Sequence, residues 1–440
     1  MVSALLVAGV LVAVFVGYNI GGSSTGVAFG PAVGSRITGK TLAAVLFTAF
    51  ALLGGWTVGQ EVITTMGSEI VAEEFTLAAS AVLLFFTGGS LLISNLFGVP
   101  ASTSMTAVGA IAGLGVANGT LNQDVMFGIV SAWIVAPLVA FWIGVLLGRY
   151  IYPHLDARIS FGRIEDGLFD VDRSGTIPRP RLREGATRRD IVGAAVVLIV
   201  ACYNAFSAGA SNTANAVAPL VGSGEIGVGA GTLLAVGAMG IGAFTIARRT
   251  LDTVGDGITD LPILAAILVS LIGATIITVL SNLGIPASLA VSMTSCIIGL
   301  GWGRASRAVT LADAAETAIE GEGRPDVSAG ALVPARTSEA RDGSDARERP
   351  TADGTPEGPA QGPTVGDLAA GEKPAEATNP GSATGDTPVD PVPKIGTEDP
   401  EELAAADLFD RAATGRIVTM WLLTPTISAI GSYLVFAFVL

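Results

Sequence analysis

Charge is what this 440-residue sequence has least of: Asp, Glu, Lys and Arg together make 14% of it, while half is hydrophobic and mean hydropathy is +0.62. A soluble domain carries about 25% charged residues, so the apolar excess excludes a single water-soluble core. Histidine is nearly missing. The one copy, His154, falls in a polar stretch, which excludes a histidine-ligated metal centre and a Ser–His–Asp triad. The two cysteines, Cys202 and Cys296, lie in apolar runs without CxxC or paired spacing and read as small buried hydrophobes. No cofactor fingerprint, metal spacing or catalytic set is present, so neither an enzyme nor a nucleic-acid binder is expected. Residues 34–41, GSRITGKT, fit the phosphate-binding loop pattern. That pattern has meaning only between a strand and a helix of a soluble α/β domain, and here it follows an apolar segment.

What the sequence does have is ten apolar runs, at 2–18, 41–58, 75–96, 102–117, 126–148, 191–208, 226–246, 261–282, 287–303 and 417–439. A helix needs ~20 apolar residues to cross the hydrocarbon, so the chain reads as an all-α polytopic membrane protein embedded in the lipid bilayer. The first run has no basic leader and is followed by more membrane, so it reads as a retained helix and not a signal peptide. Residues 304–416 hold 22 of the 38 acidic residues among repeated Pro, Gly, Thr and Ala. Such a composition buries too little apolar surface to order itself. The expected organisation is a first transmembrane repeat over 1–148, a cytoplasmic linker over 149–190 and the first part of a second repeat over 191–303. An acidic disordered loop over 304–416 and a final helix over 417–440 complete it.

The repeat is legible in the residues. GGSSTGVAFGPAVGS at 21–35 and GASNTANAVAPLVGS at 209–223 share eight of fifteen positions. GQEVITTMGSEI (59–70) has a counterpart in GAFTIARRTLDTVGDGI (242–258), GVPASTS (98–104) in GIPASLA (284–290), and WIVAP (133–137) in WLLTP (421–425). Five runs per copy, or three crossings if the third and fourth only form a re-entrant pair, make an odd number. The second copy is therefore inverted. Basic residues fix the expected orientation. All 24 fall in 19–40, 149–190, 247–260 and 304–416, whereas 59–74 carries four glutamates and no base. This predicts both termini outside and the linker and acidic loop in the cytoplasm.

Small polar residues and helix breaks at membrane depth are tolerated only where they face protein or a cavity, and matched breaks in inverted repeats point to a transporter's central site. In 21–35 the glycines and Pro31 predict a broken helix that offers Ser23, Ser24 and Thr25 to a solute or ion. The second copy offers Ser211, Asn212, Thr213 and Asn215. Close packing of helices through small residues is the competing reading. In 98–104 and 284–290 a proline precedes Ser102, Thr103 and Ser104, or Ser288. These predict helix starts whose free N–H groups suit an anion, or serines acting as plain caps.

These elements resemble the inorganic phosphate transporter family of the PiT type, which carries two GANDVANAFG-like motifs. GASNTANAVAPLVGS is the nearer copy. PASTSMT at 100–106 resembles the family's P-x-S-T-T-H element, and ARRTLDTVGDGIT at 247–259 its V-x-x-T-x-G-x-x-I-T stretch. The resemblance implies an inverted-repeat fold with broken or re-entrant helices and alternating access. It implies transport of inorganic phosphate first, or sulfate, coupled to Na⁺ or H⁺, with a passive anion channel as the other class, no further cofactor, and a homo-oligomer as an allowed assembly. It places substrate binding on Ser102, Thr103, Ser104, Ser288, Asn212 and Asn215. Ion coupling falls on Ser23, Ser24, Thr25, Ser211, Asn212 and Thr213. The chain departs from the family at Ser23-Ser24 and Ser211-Asn212, which stand where the family has Asn-Asp, and at Val27, where it has Asn. Leu289, Ala290 and Val291 replace T-T-H, and Ala51 replaces a glutamate. Without carboxylates the usual cation ligands and proton carriers are gone, leaving hydroxyl, amide and backbone oxygens to hold a Na⁺ ion.

Overall fold

A computed structural model describes residues 3–96, 102–158, 169–172, 179–182, 187–247, 262–308 and 411–439. In chain order its helices are α1 (Ala4–Gly34), α2 (Lys40–Thr57), α3 (Gly59–Thr64), α4 (Leu77–Leu96), α5 (Thr103–Asn118), α6 (Gln123–Leu146), α7 (Tyr152–Arg158), α8 (Arg188–Gly222), α9 (Val228–Thr245), α10 (Ile263–Asn282), α11 (Leu289–Ala305) and α12 (Arg411–Phe438). Among the described residues, eight helical stretches are long and apolar enough to cross a membrane. The two remaining apolar runs form α5 and α11, of 16 and 17 residues, short of the ~20 that a span requires. Each follows a break: α4 stops at Leu96 before α5, and α10 at Asn282 before α11. The chain is a multi-pass helical membrane protein with broken helices.

The two copies are inverted. Along the α1–α8 contact Gly9 lies against Leu220 while Ser24 reaches Asn212, so the helices run in opposite directions. α2 runs parallel to α8, with Ala51 at Gly209 and Gly55 at Thr213, and α1 runs parallel to α9, with Gly17 at Ala238 and Gly22 at Ile246. Each copy thus packs its first helix on the other copy's second. The outer pairs exchange in the same way. α5 lies along α12, Gly109 at Pro425 and Gly113 at Ala429, while α6 lies along α11, Phe141 at Gly299 and Val145 at Gly303. α4 runs beside α1, Leu77 at Gly9 and Asn95 at Asn19, and α5 runs back against that direction to a bridge between Val71 and Leu121.

One sequence expectation is corrected. The stretch 21–35 does not break its helix. α1 continues through it to Gly34, and α8 continues through its counterpart to Gly222. Pro31 and Pro219 stand three residues before the ends, and in each copy the chain then turns through one left-handed residue, Arg36 (φ 55°) and Gly224 (φ 75°). The glycines serve contact, not flexibility. A Cβ on Gly21 would overlap the Met239 carbonyl, and one on its counterpart Gly209 the Ala51 carbonyl. Close packing through small residues is the reading that holds for them. The breaks lie at the second motif pair, where Ser102 and Ser288 start α5 and α11 by accepting from the Met105 and Val291 amides.

The linker adds an element that apolar runs cannot signal: an antiparallel hairpin of β1 (Phe169–Asp172) and β2 (Arg179–Leu182), Phe169 opposite Leu182. Most of the acidic loop 304–416, residues 98–101 of GVPASTS, and 248–258 of the counterpart of 59–70 lie outside the described residues.

Candidate functional site

α1 and α8 cross where Ser24 meets Asn212, and the starts of α5 and α11 close on that crossing. Two different half-sites result. On the α8 side polar groups bond to one another. The Asn215 amide donates to Thr103 Oγ1 (3.2 Å), Ser104 Oγ (3.1 Å) and Asn212 Oδ1 (3.0 Å), and Thr103 Oγ1 also donates to Asn212 Oδ1. Ser104 and Ser211 both donate to the Ala287 carbonyl, at 2.9 and 2.8 Å, which holds the turn before α11 in place. That carbonyl is a partner the side-chain pattern did not reveal. Asn215 is fully buried, and its Oδ1 has no hydrogen-bond partner.

On the α1 side the matching positions carry Val27 for Asn215, Leu289 for Thr103 and Ala290 for Ser104. None can form such a cluster, and here the molecule is open. A cavity of about 30 Å³ lies between Ser23, Ser24, Val27, Thr103, Asn212, Ser288, Leu289 and Ala290, enough to admit water. The Asn212 amide reaches Ser24 Oγ across it at 3.5 Å. Leu289 and Ala290 form the first turn of α11. Their amides have no partner within the helix and bring the positive end of its dipole to the cavity wall.

Of the residues singled out from sequence, Ser23, Ser24, Thr103, Asn212 and Ser288 line the cavity, and Ser104, Ser211 and Asn215 form the cluster behind it. Ser102 is fully buried as the cap of α5. Thr25 and Thr213 point elsewhere: each bonds the carbonyl four residues back, on Gly21 and Gly209, at 2.7 Å. Val27, Leu289 and Ala290 were read only as departures from a pattern. Their significance is that their loss of polarity makes the opening. Among the described residues no carboxylate, histidine or cationic side chain lines the cavity, and no group of His, Cys, Asp or Glu could hold a metal ion.

Comparison with known proteins places this geometry. The Phosphate transporter family matches residues 20–166 and 172–320. The chain is 34% identical over 297 residues to the sulfate permease CysP of Bacillus subtilis, covering 67% of this chain and 76% of that one. It is 26% identical over 380 residues to a putative phosphate permease of Chlamydia pneumoniae, covering 68% and 89%. A solved structure titled as the sodium-dependent phosphate transporter shares the fold with a TM-score of 0.54 at 20% identity, over 69% of this chain and 90% of that one. With two matched segments falling on two inverted copies of one helical unit, the chain belongs to the phosphate transporter family, a family of transporters and not of enzymes.

Proposed function

We propose that the protein is a secondary permease for a small tetrahedral oxyanion, that sulfate is its preferred substrate, and that Na⁺ is the coupling ion. The observation that carries this reading is the character of the cavity: hydroxyls, an amide and helix-start N–H groups, with no carboxylate among the described residues. Phosphate keeps at least one proton near neutral pH and needs an acceptor for it, whereas sulfate is fully ionised and takes donors only. With no carboxylate among the described lining residues to accept that proton, the cavity suits sulfate, and the identity to a sulfate permease supports the same choice. Phosphate is the second reading, favoured by the family match and the phosphate permease relatives. Na⁺ is favoured over H⁺ because no carboxylate among the described residues lines the cavity to carry a proton, while Asn215 Oδ1 is a buried acceptor left for a cation. Alternating access would rock the inverted copies about Ser24 and Asn212. The ends bearing Arg36, Lys40, Arg149, Arg188 and Arg304 would lie in the cytoplasm.

Uptake of labelled sulfate into proteoliposomes under an inward Na⁺ gradient tests this. Accumulation above the external concentration, lost when K⁺ replaces Na⁺ and weakly competed by phosphate, is expected. Stronger competition by phosphate than by sulfate overturns the substrate choice. Accumulation driven by a pH gradient alone overturns the ion, and simple equilibration makes the protein a passive pore.

A further inference from the structure

The outer pairs α5–α12 and α6–α11 correspond to each other through the repeat, yet their seams differ in chemistry. Along α12 Thr424, Ser428 and Ser432 follow one another at one-turn intervals, each 1% exposed or less. The offset that aligns WLLTP with WIVAP puts Ala136, Ala140 and Gly144 of α6 in their places. Thr106 Oγ1, one turn beyond Thr103, donates to Thr424 Oγ1 at 3.2 Å, and Ser432 Oγ donates to the Ala110 carbonyl at 2.7 Å. Between them Ser428 Oγ has no hydrogen-bond partner, and neither has Ser90 Oγ on α4, 2% exposed. Phe86, one turn before Ser90, lies against Gly431, three residues after Ser428. Because α4 runs opposite to α12, Ser90 and Ser428 stand at about the same level of the seam.

A buried hydroxyl in a helix ordinarily bonds its own preceding turn or a neighbour. Two that do neither, at about the same level of a row of hydroxyls, are buried polar groups of the kind that ordered water satisfies. The row begins one turn from the candidate site and leads toward the end where Val71 pairs with Leu121. At that end stand Glu69, Glu73, Glu74, Asp124 and Glu225, all exposed, whereas Arg36, Lys40, Arg149, Arg188 and Arg304 gather at the other. An end whose charged side chains, among the described residues, are all acidic concentrates cations and repels the oxyanion, and hydroxyl oxygens can replace part of a cation's hydration shell.

We propose that the α4–α5–α12 seam is a water-filled route by which a hydrated monovalent cation reaches the candidate site from the acidic end, and that the equivalent α6–α11 seam is dry. This rests on the cation coupling proposed above. The test uses the full chain with Cys202→Ala and Cys296→Ala, carrying either Ser428→Cys or, as its symmetry-matched control, Ala140→Cys. Intact proteoliposomes are exposed to small membrane-impermeant thiol reagents, one cationic and one anionic, and modification is read by mass. Ser428→Cys is expected to react with the cationic reagent about tenfold faster than with the anionic one, and Ala140→Cys with neither. Equal reactivity of the two positions, or faster reaction with the anionic reagent, overturns the proposal. Should Ser428→Cys fail to fold, Ser432→Cys, one turn nearer the acidic end, is held to the same result. Labelling is independent of which solute is carried. Uptake without Na⁺ dependence alongside a reactive Ser428→Cys therefore sinks the coupling reading, whereas Na⁺-driven uptake with an unreactive seam sinks the route.

Discussion

The half-site on α8 and the half-site on α1 start from one motif and end in opposite states. Around Asn215 five side chains and a backbone carbonyl bond to each other. Around Val27 the same backbone positions, carrying Leu289 and Ala290, leave a cavity. The contacts that hold the backbone did not diverge in this way: Gly21 meets Met239 as Gly209 meets Ala51, at the same offset. A duplicated membrane fold needs its close helix crossings twice, because each copy packs on the other. It needs its polar chemistry arranged only once around the central axis, so the side chains at the axis are free to differ.

The sharpest way to break that comparison is to attack what the halves share. Gly21→Ala and Gly209→Ala each drive a methyl group into a facing carbonyl. Each should cost about 1–3 kcal/mol or more by overpacking, to a similar extent in both. Thermal melting in detergent and yield of folded protein measure it. A tolerated substitution in one half alone would show that the helix crossings are not equivalent.

Exchanging what differs should have a smaller effect on stability and a specific effect on transport. Asn215→Val copies the open half into the packed one. It removes the donor of three hydrogen bonds, at about 1–3 kcal/mol, and should abolish Na⁺-dependent uptake. Val27→Asn alone sets an amide beside Leu289 and Ala290, which offer it no side-chain partner. The triple change Val27→Asn, Leu289→Thr, Ala290→Ser supplies those partners, so it should be more stable than Val27→Asn, a non-additivity expected of residues in one network. By filling the cavity it should also stop sulfate uptake. Wild-type uptake by the triple variant would remove the oxyanion from this cavity.

The fold was largely open to reading because membrane burial leaves long uncharged runs, and duplication supplies an internal control on each of them. The second motif pair was legible for a similar reason. A proline followed by Ser102 or Ser288 has few uses other than ending one helix and capping the next. The first pair was not. Glycine lacks a Cβ whether it permits a bend or a close approach, and only the neighbouring helix, here Met239 or Ala51, decides between the two. The exchange of α5 onto α12 and α6 onto α11 was equally hidden, since it joins residues about 300 positions apart in one case and 150 in the other, with no local signal. So was the hairpin at 169–182, whose strands are too short and too charged to stand out.

Thr25 and Thr213 give the finest test, because there the halves agree and the sequence pattern pointed to ion coupling. Both threonines are fully buried, and both hydroxyls are held by a carbonyl of their own helix. Such back-bonding contributes little to helix stability and often bends the helix slightly. Valine keeps the branched shape, and the carbonyl keeps its backbone amide. Thr25→Val and Thr213→Val should therefore each shift stability by less than about 1 kcal/mol and leave both sulfate uptake and its Na⁺ dependence within about twofold, or ~0.4 kcal/mol, of the wild type. A selective loss of Na⁺ dependence in either would mean that the hydroxyl turns to the ion during the cycle, and the site would then include the residue next to Ser24 or Asn212.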